Sequence, residues 1–136
     1  MSADAPVSHF EVVIVPDDID EFDHVNNAVY LRWVQKVVVA HWTRLSETEW
    51  LDAHLWVALR HEIFYRQPIF LGDDVVAHVK VTKTRGVRAT FQTSFLRNGV
   101  VLANVESDWC CLDSSNKKPK RISDAISQRF LGLAVQ

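Results

Sequence analysis

Asp18, Asp20, Asp23, His24, Asn26 and Asn27 crowd into ten consecutive positions, immediately before an apolar pattern with helical spacing begins. Carboxylates beside the start of a helix meet the positive end of its dipole and backbone N–H groups without partners. That arrangement can orient an anion or polarise a carbonyl. Spacing alone leaves two readings open: the aspartates cap the helix, or they do nucleophilic or acid–base work. His41, His61 and His78 fall on helical or alternating apolar patterns and fit packing instead. No His, Cys and carboxylate set has metal-site spacing, so neither metal nor cofactor is expected. The adjacent Cys110 and Cys111 offer neither a disulfide framework nor a zinc site.

The elements that must position this segment are legible as changes of period. Phe10, Val12 and Ile14 alternate up to Pro16, which fits a strand that ends before the polar loop. From Asn27 to Leu45, Tyr30, Trp33, Val34, Val37, Val38, His41 and Trp42 recur at helical spacing, predicting a long helix buried over most of its circumference. Ser46-Glu47-Thr48-Glu49 has capping-box form, predicting a second, short helix that ends near His54. Four strands follow: 57–66, 75–81, 87–95 and 101–111. Turns at Gly72-Asp73, Arg85-Gly86 and Asn98-Gly99 separate them, the last being the strongest hairpin signal in the chain. Beyond the polar stretch 113–120, Ile126, Phe130 and Leu131 allow a terminal helix.

One strand, one long helix and four further strands on short connections predict an α+β fold, an antiparallel sheet wrapped around one central helix. The 136 residues, 48% of them apolar, suit a single domain over residues 1–136. A sheet curled around one helix leaves its outer face and an edge uncovered. Trp56, Ala58 and Phe64, read as outward-facing, predict that a second copy covers them, giving a homodimer or homotetramer. A net charge of −2, with no basic run longer than that around Lys117 to Arg121, excludes nucleic acid as an obvious partner. The acidic N-terminus and the lack of a long uncharged apolar run predict a soluble cytoplasmic protein without a membrane partner.

The segment Asp18-x-Asp20-x-x-Asp23-His24-Val25-Asn26-Asn27-x-x-Tyr30 resembles the hotdog-fold acyl-CoA thioesterases of the 4-hydroxybenzoyl-CoA thioesterase family. Their usual form is Asp-x-Asp-x-x-Gly-His-Val-Asn-Asn-x-x-Tyr. The similarity continues through Tyr65-Arg66-Gln67-Pro68-Ile69-Phe70-Leu71-Gly72-Asp73, and through Cys111-Leu112-Asp113 with Lys118-Pro119. One position departs: Asp23 stands where the family has glycine, which costs backbone freedom and adds a charge near Asp20.

The resemblance implies a hotdog fold and hydrolysis of a fatty or aromatic acyl-CoA to free acid and coenzyme A, at sites between subunits. Matched to the motif, Asp20 is the catalytic carboxylate, as nucleophile or general base, and the Asn27 N–H is the oxyanion donor. His24 orients water or holds the loop. Tyr30 and Trp33 are expected at the acyl group, and Lys83, Arg85 and Arg88, around the Gly86 turn, at the phosphates of the acyl-CoA. Two alternatives stand beside this reading: an acyl-carrier-protein thioesterase, and a non-catalytic acyl-binding module in which Asp23 marks a degenerate site.

Overall fold

The computed structural model describes residues 4–133. Its elements follow the predicted order: β1 (Ser8–Val12), α1 (Asn27–Leu45), α2 (Thr48–Ala53), β2 (His54–Tyr65), β3 (Val75–Arg85), β4 (Arg88–Arg97), β5 (Val100–Asp113) and α3 (Asp124–Leu131). The five strands form one sheet in the order β1-β3-β4-β5-β2, antiparallel at every pairing. Chain order differs from spatial order because β2 crosses to the far side of β5, so β1 and β2 form opposite edges.

The helix α1 lies in the curve of this sheet. Its buried residues are Tyr30, Trp33, Val34, Val37, Val38, His41 and Trp42, which the periodicity marked, and Val29, which it did not. They pack on the inward residues of β3, β4 and β5, among them Val79, Phe91, Phe95 and Val105. This is the hotdog arrangement expected of the chain, with α1 as the filling. A single buried Leu- or Phe-sized side chain in such a core is worth about 1.5–3 kcal/mol, so the helix is fixed in register and depth. Its N-terminal end is thereby fixed as well. The terminal helix α3 forms on a Ser123 cap and ends at Gly132 in left-handed conformation (φ 68°). It lays Ile126 and Phe130 on the far end of the core, where Phe130 stacks on Trp42.

Three local expectations change. The first strand stops at Val12, because Pro16 opens a single 3-10 turn over Pro16–Asp18 that begins the polar loop. The capping box at Ser46 does not form: α2 starts one residue later behind Glu47, whose carbonyl accepts the N–H groups of Trp50 and Leu51, and the Ser46 hydroxyl is buried without a partner among the described residues. A bulge between Ala58 and Arg60 reverses the alternation of β2. Trp56 pairs with the buried Cys111 and packs edge-on against Trp42, facing inward, whereas Ala58, paired with Trp109, stays exposed on the edge strand. Of the three residues read as outward-facing, Ala58 and Phe64 are exposed and Trp56 is not. The edge nevertheless remains apolar, since Leu55, Val57, Leu59 and Phe64 are all exposed along β2. No helix of the described residues is long and apolar enough to cross a membrane.

Candidate active site

Between the 3-10 turn and α1 the chain folds into a small closed loop. Ile19 and Val25 form an antiparallel bridge, the Asp20 N–H donates to the His24 carbonyl (3.0 Å), and the Asp23 N–H donates to the Asp20 carbonyl (3.1 Å). Such a tight reversal needs a residue in left-handed conformation, and Asp23 supplies it with φ 66°. The aspartate holds a backbone geometry that glycine adopts most readily and that Asp tolerates better than most L residues. The Val25 N–H donates to the Ile69 carbonyl (2.8 Å), which fastens the loop to the segment after β2.

Asn26 begins α1. Its side-chain oxygen accepts the Ala28 N–H at 2.9 Å and its carbonyl accepts the Val29 N–H at 2.9 Å. The Asn27 N–H is left as an amide of this turn without a partner among the described residues, at the positive end of a nineteen-residue helix. The Asn27 carbonyl accepts the Tyr65 hydroxyl (3.1 Å), so the end of β2 is pinned against the helix start.

Beside this point lies a solvent-open cavity of about 270 Å³, with His24, Val25, Asn27 and Tyr30 on one wall and Tyr65, Arg66, Gln67 and Pro68 on the other. The rings of Tyr30 and Tyr65 meet edge to face at 5.1 Å. Burial, reinforced by Tyr65 and opposed by Arg97, pushes the Tyr30 phenol up to about 12, so it stays protonated at neutral pH.

The expected site residues separate into four groups. His24, Asn27 and Tyr30 meet at the cavity. Asp20 sits on the same loop, one backbone hydrogen bond from His24; its Oδ1 accepts the Phe22 N–H at 2.9 Å, and its other oxygen has no partner among the described residues. Trp33 lies beneath the cavity, 4% exposed and packed between Tyr30 and Phe95, and does not line it. Lys83, Arg85 and Arg88 surround the β3–β4 turn, all exposed. Across the sheet Arg88 aligns with Cys110 and then Val57, eight residues short of Tyr65 along β2, which is roughly 26 Å at about 3.3 Å per residue. Within one chain those cations are remote from the cavity.

The sequence marks residues 65–68 only as part of a stretch similar to the family, yet they form half of the cavity wall. The signal was there in an exposed aromatic followed by Arg-Gln-Pro at a strand end. The two neighbouring aspartates of the motif also part company. Asp18 is buried and fully engaged, whereas Asp20 is half-buried with one oxygen free. Among the described residues, no three His, Cys, Asp or Glu side chains group as metal ligands.

Comparison with known proteins agrees with this geometry. The chain is 24% identical over 119 residues to the long-chain acyl-CoA thioesterase FadM of Escherichia coli (strain K12), covering 82% of this chain and 88% of FadM. A thioesterase from Thermus thermophilus, solved with coenzyme A and Zn, superposes with a TM-score of 0.79 at 27% identity, covering 93% of this chain and 92% of that one. A 1,4-dihydroxy-2-naphthoyl-CoA thioesterase from Synechocystis shares the fold at a TM-score of 0.74 and 12% identity, over 92% of this chain and 96% of its own. The model of the thioesterase-like superfamily matches residues 14–130, and with the loop, helix start and cavity falling inside that span, the chain belongs to this superfamily as a hotdog-fold thioester hydrolase.

Proposed function

We propose that the protein hydrolyses a fatty or aromatic acyl-CoA to the free acid and coenzyme A, with Asp20 as its catalytic carboxylate. The observation that carries this reading is an unpartnered helix-start amide on the cavity wall, with a carboxylate that keeps one oxygen free on the loop leading into that helix. The thioester carbonyl oxygen lies against the Asn27 N–H, which stabilises the negative charge that grows there as the carbonyl carbon becomes tetrahedral. Asp20 then acts in one of two ways. As a base it takes a proton from water while the water oxygen bonds to the carbonyl carbon. As a nucleophile it bonds to that carbon itself and gives a mixed anhydride that water opens. In both, the C–S bond breaks and the electron pair leaves with sulfur, which is protonated to the coenzyme A thiol. His24 orients the water, and the Tyr30 hydroxyl donates a hydrogen bond within the cavity.

A second copy completes the site. An apolar twelve-residue edge strand favours pairing with another β2. An antiparallel two-fold pairing centred near the bulge lays the partner's β3–β4 turn three strand spacings, roughly 14 Å, from this chain's cavity. That is closer than the chain's own turn, and it gives the partner's Lys83, Arg85 and Arg88 a place at the phosphates of a substrate whose thioester lies in this cavity. Asp23 in the glycine's conformation favours a working loop over a degenerate one.

The experiment is thiol release from a panel of short, long and aromatic acyl-CoAs. Turnover of one class and neglect of the others identifies the substrate. Silence across the panel, together with turnover of the same acyl groups on acyl-carrier protein, transfers the reading to that carrier.

A further inference from the structure

Asp18 is the one buried carboxylate among the described residues, 1% exposed. Both of its oxygens are used: Oδ1 accepts from the Arg32 guanidinium and Oδ2 from the Val15 N–H at 3.0 Å. Its backbone is used as well, the carbonyl accepting the Asn26 N–H at 2.8 Å and the N–H donating to the Val15 carbonyl at 2.9 Å. One residue therefore joins the entrance of the catalytic loop, the cap of α1 and the second turn of α1.

A charge is costly to bury unless it is paired and hydrogen-bonded. Burial pushes the Asp18 carboxyl up, but the Val15 N–H and the Arg32 guanidinium outweigh it and hold the group below its ordinary value. A neutral side chain could cap the Val15 N–H without that cost. What the charge adds is Arg32, which reaches back from the helix that carries Asn27 to the loop that carries Asp20.

We propose that the Asp18–Arg32 ion pair positions the catalytic carboxylate, fixing the loop of Asp20 against the helix start that supplies the Asn27 N–H. Asp18 is a positioning residue and touches no substrate. The proposal rests on the thioesterase reading of Asp20. Displacing a reacting group by about 1 Å costs about a hundredfold in rate, so loosening the pair lowers kcat and leaves KM near its wild-type value.

The test compares wild type, Asp18→Asn, Arg32→Gln and Arg32→Lys as full chains, with melting temperature, kcat and KM measured for each. The Arg32 side chain is 51% exposed, so its replacement leaves the core closed and keeps the test informative if Asp18→Asn folds poorly. We expect kcat at least tenfold lower in Arg32→Gln and Asp18→Asn with KM within about twofold, in line with the rate cost above, and most of kcat regained in Arg32→Lys. Folded Arg32→Gln with wild-type kcat overturns the proposal while the thioesterase reading stands. A wild type that releases no thiol from any thioester overturns that reading and the proposal with it.

Discussion

Acid should weaken this protein through one residue far from the cavity. His41, on α1, is fully buried; its Nδ1 contacts the Ser8 hydroxyl of β1, and Ser8 also accepts from the Arg44 guanidinium at 2.9 Å. The other ring nitrogen has no partner among the described residues, and the ring lies edge-on to Phe91 and Phe130. Burial, helped by the Arg44 charge, lowers the imidazole from 6.5 to about 4. The unfolded chain therefore binds a proton below pH 6.5 that the folded chain refuses until about pH 4. Stability is fully present above the upper value, falls as pH drops between the two, and is level with respect to this group below the lower one. At about 1.4 kcal/mol per pKa unit the whole effect is roughly 3 kcal/mol, with roughly 2–3 kcal/mol of it lost between about pH 7 and about pH 4.5. That is a large part of the 5–15 kcal/mol typical of a folded domain. Urea unfolding of wild type and His41→Gln at a series of pH values isolates the term, because Asp18 and the other carboxylates titrate alike in both. Glutamine costs stability at neutral pH as a buried amide, so the slope against pH is the quantity to compare. Equal slopes in the two proteins would refute the assignment.

Three further outcomes follow from the structure. Asp23 sits at φ 66°, so Asp23→Gly should be at least as stable as wild type and Asp23→Val should lose about 1–2 kcal/mol, read as a shift of urea midpoint; a tolerated valine would show that the loop does not hold this conformation. Leu59→Lys, on the exposed bulge of β2, should convert a dimer into folded monomers with little activity, which sedimentation and thiol release would report; a wild type already monomeric and active removes the paired-edge site. Arg88→Glu should raise KM for an acyl-CoA about tenfold, equivalent to about 1.4 kcal/mol, and leave the same acyl group on pantetheine unaffected; equal KM changes on both carriers would take Arg88 away from the phosphates.

Much of the fold is legible in the chain because the elements are long and strongly periodic. The apolar spacing from Asn27 to Leu45 marks α1 and its buried face, and Asn98-Gly99, with φ 52° and 77°, makes the hairpin it signals. What is illegible depends on partners distant in sequence. The bulge in β2 reflects how that strand meets β5 more than a third of the chain later, and no local pattern fixes which of Trp56 and Phe64 faces inward. The Ser46 box fails because the end of α1 claims the residue as its own cap. Within the candidate site the motif identifies the loop and the helix start, but Asp18 and Asp20 look equivalent in sequence. Arg32, fourteen residues ahead, neutralises one and leaves the other free. The opposite wall of the cavity comes from Tyr65 to Pro68, brought there by β2 and the Tyr65–Asn27 hydrogen bond.

The most direct test of the account is single-turnover thiol release by wild type and Asp20→Asn from the acyl-CoA that the panel identifies, with folding verified by melting temperature. Asparagine keeps the shape and the Phe22 N–H contact but removes the charge that attacks or takes the proton. A folded Asp20→Asn should lose a hundredfold or more of the single-turnover rate while still binding the acyl-CoA, in keeping with the 10²–10⁴-fold worth of a positioned acid or base. Release by Asp20→Asn at the wild-type rate would contradict the account and move the chemistry off this loop.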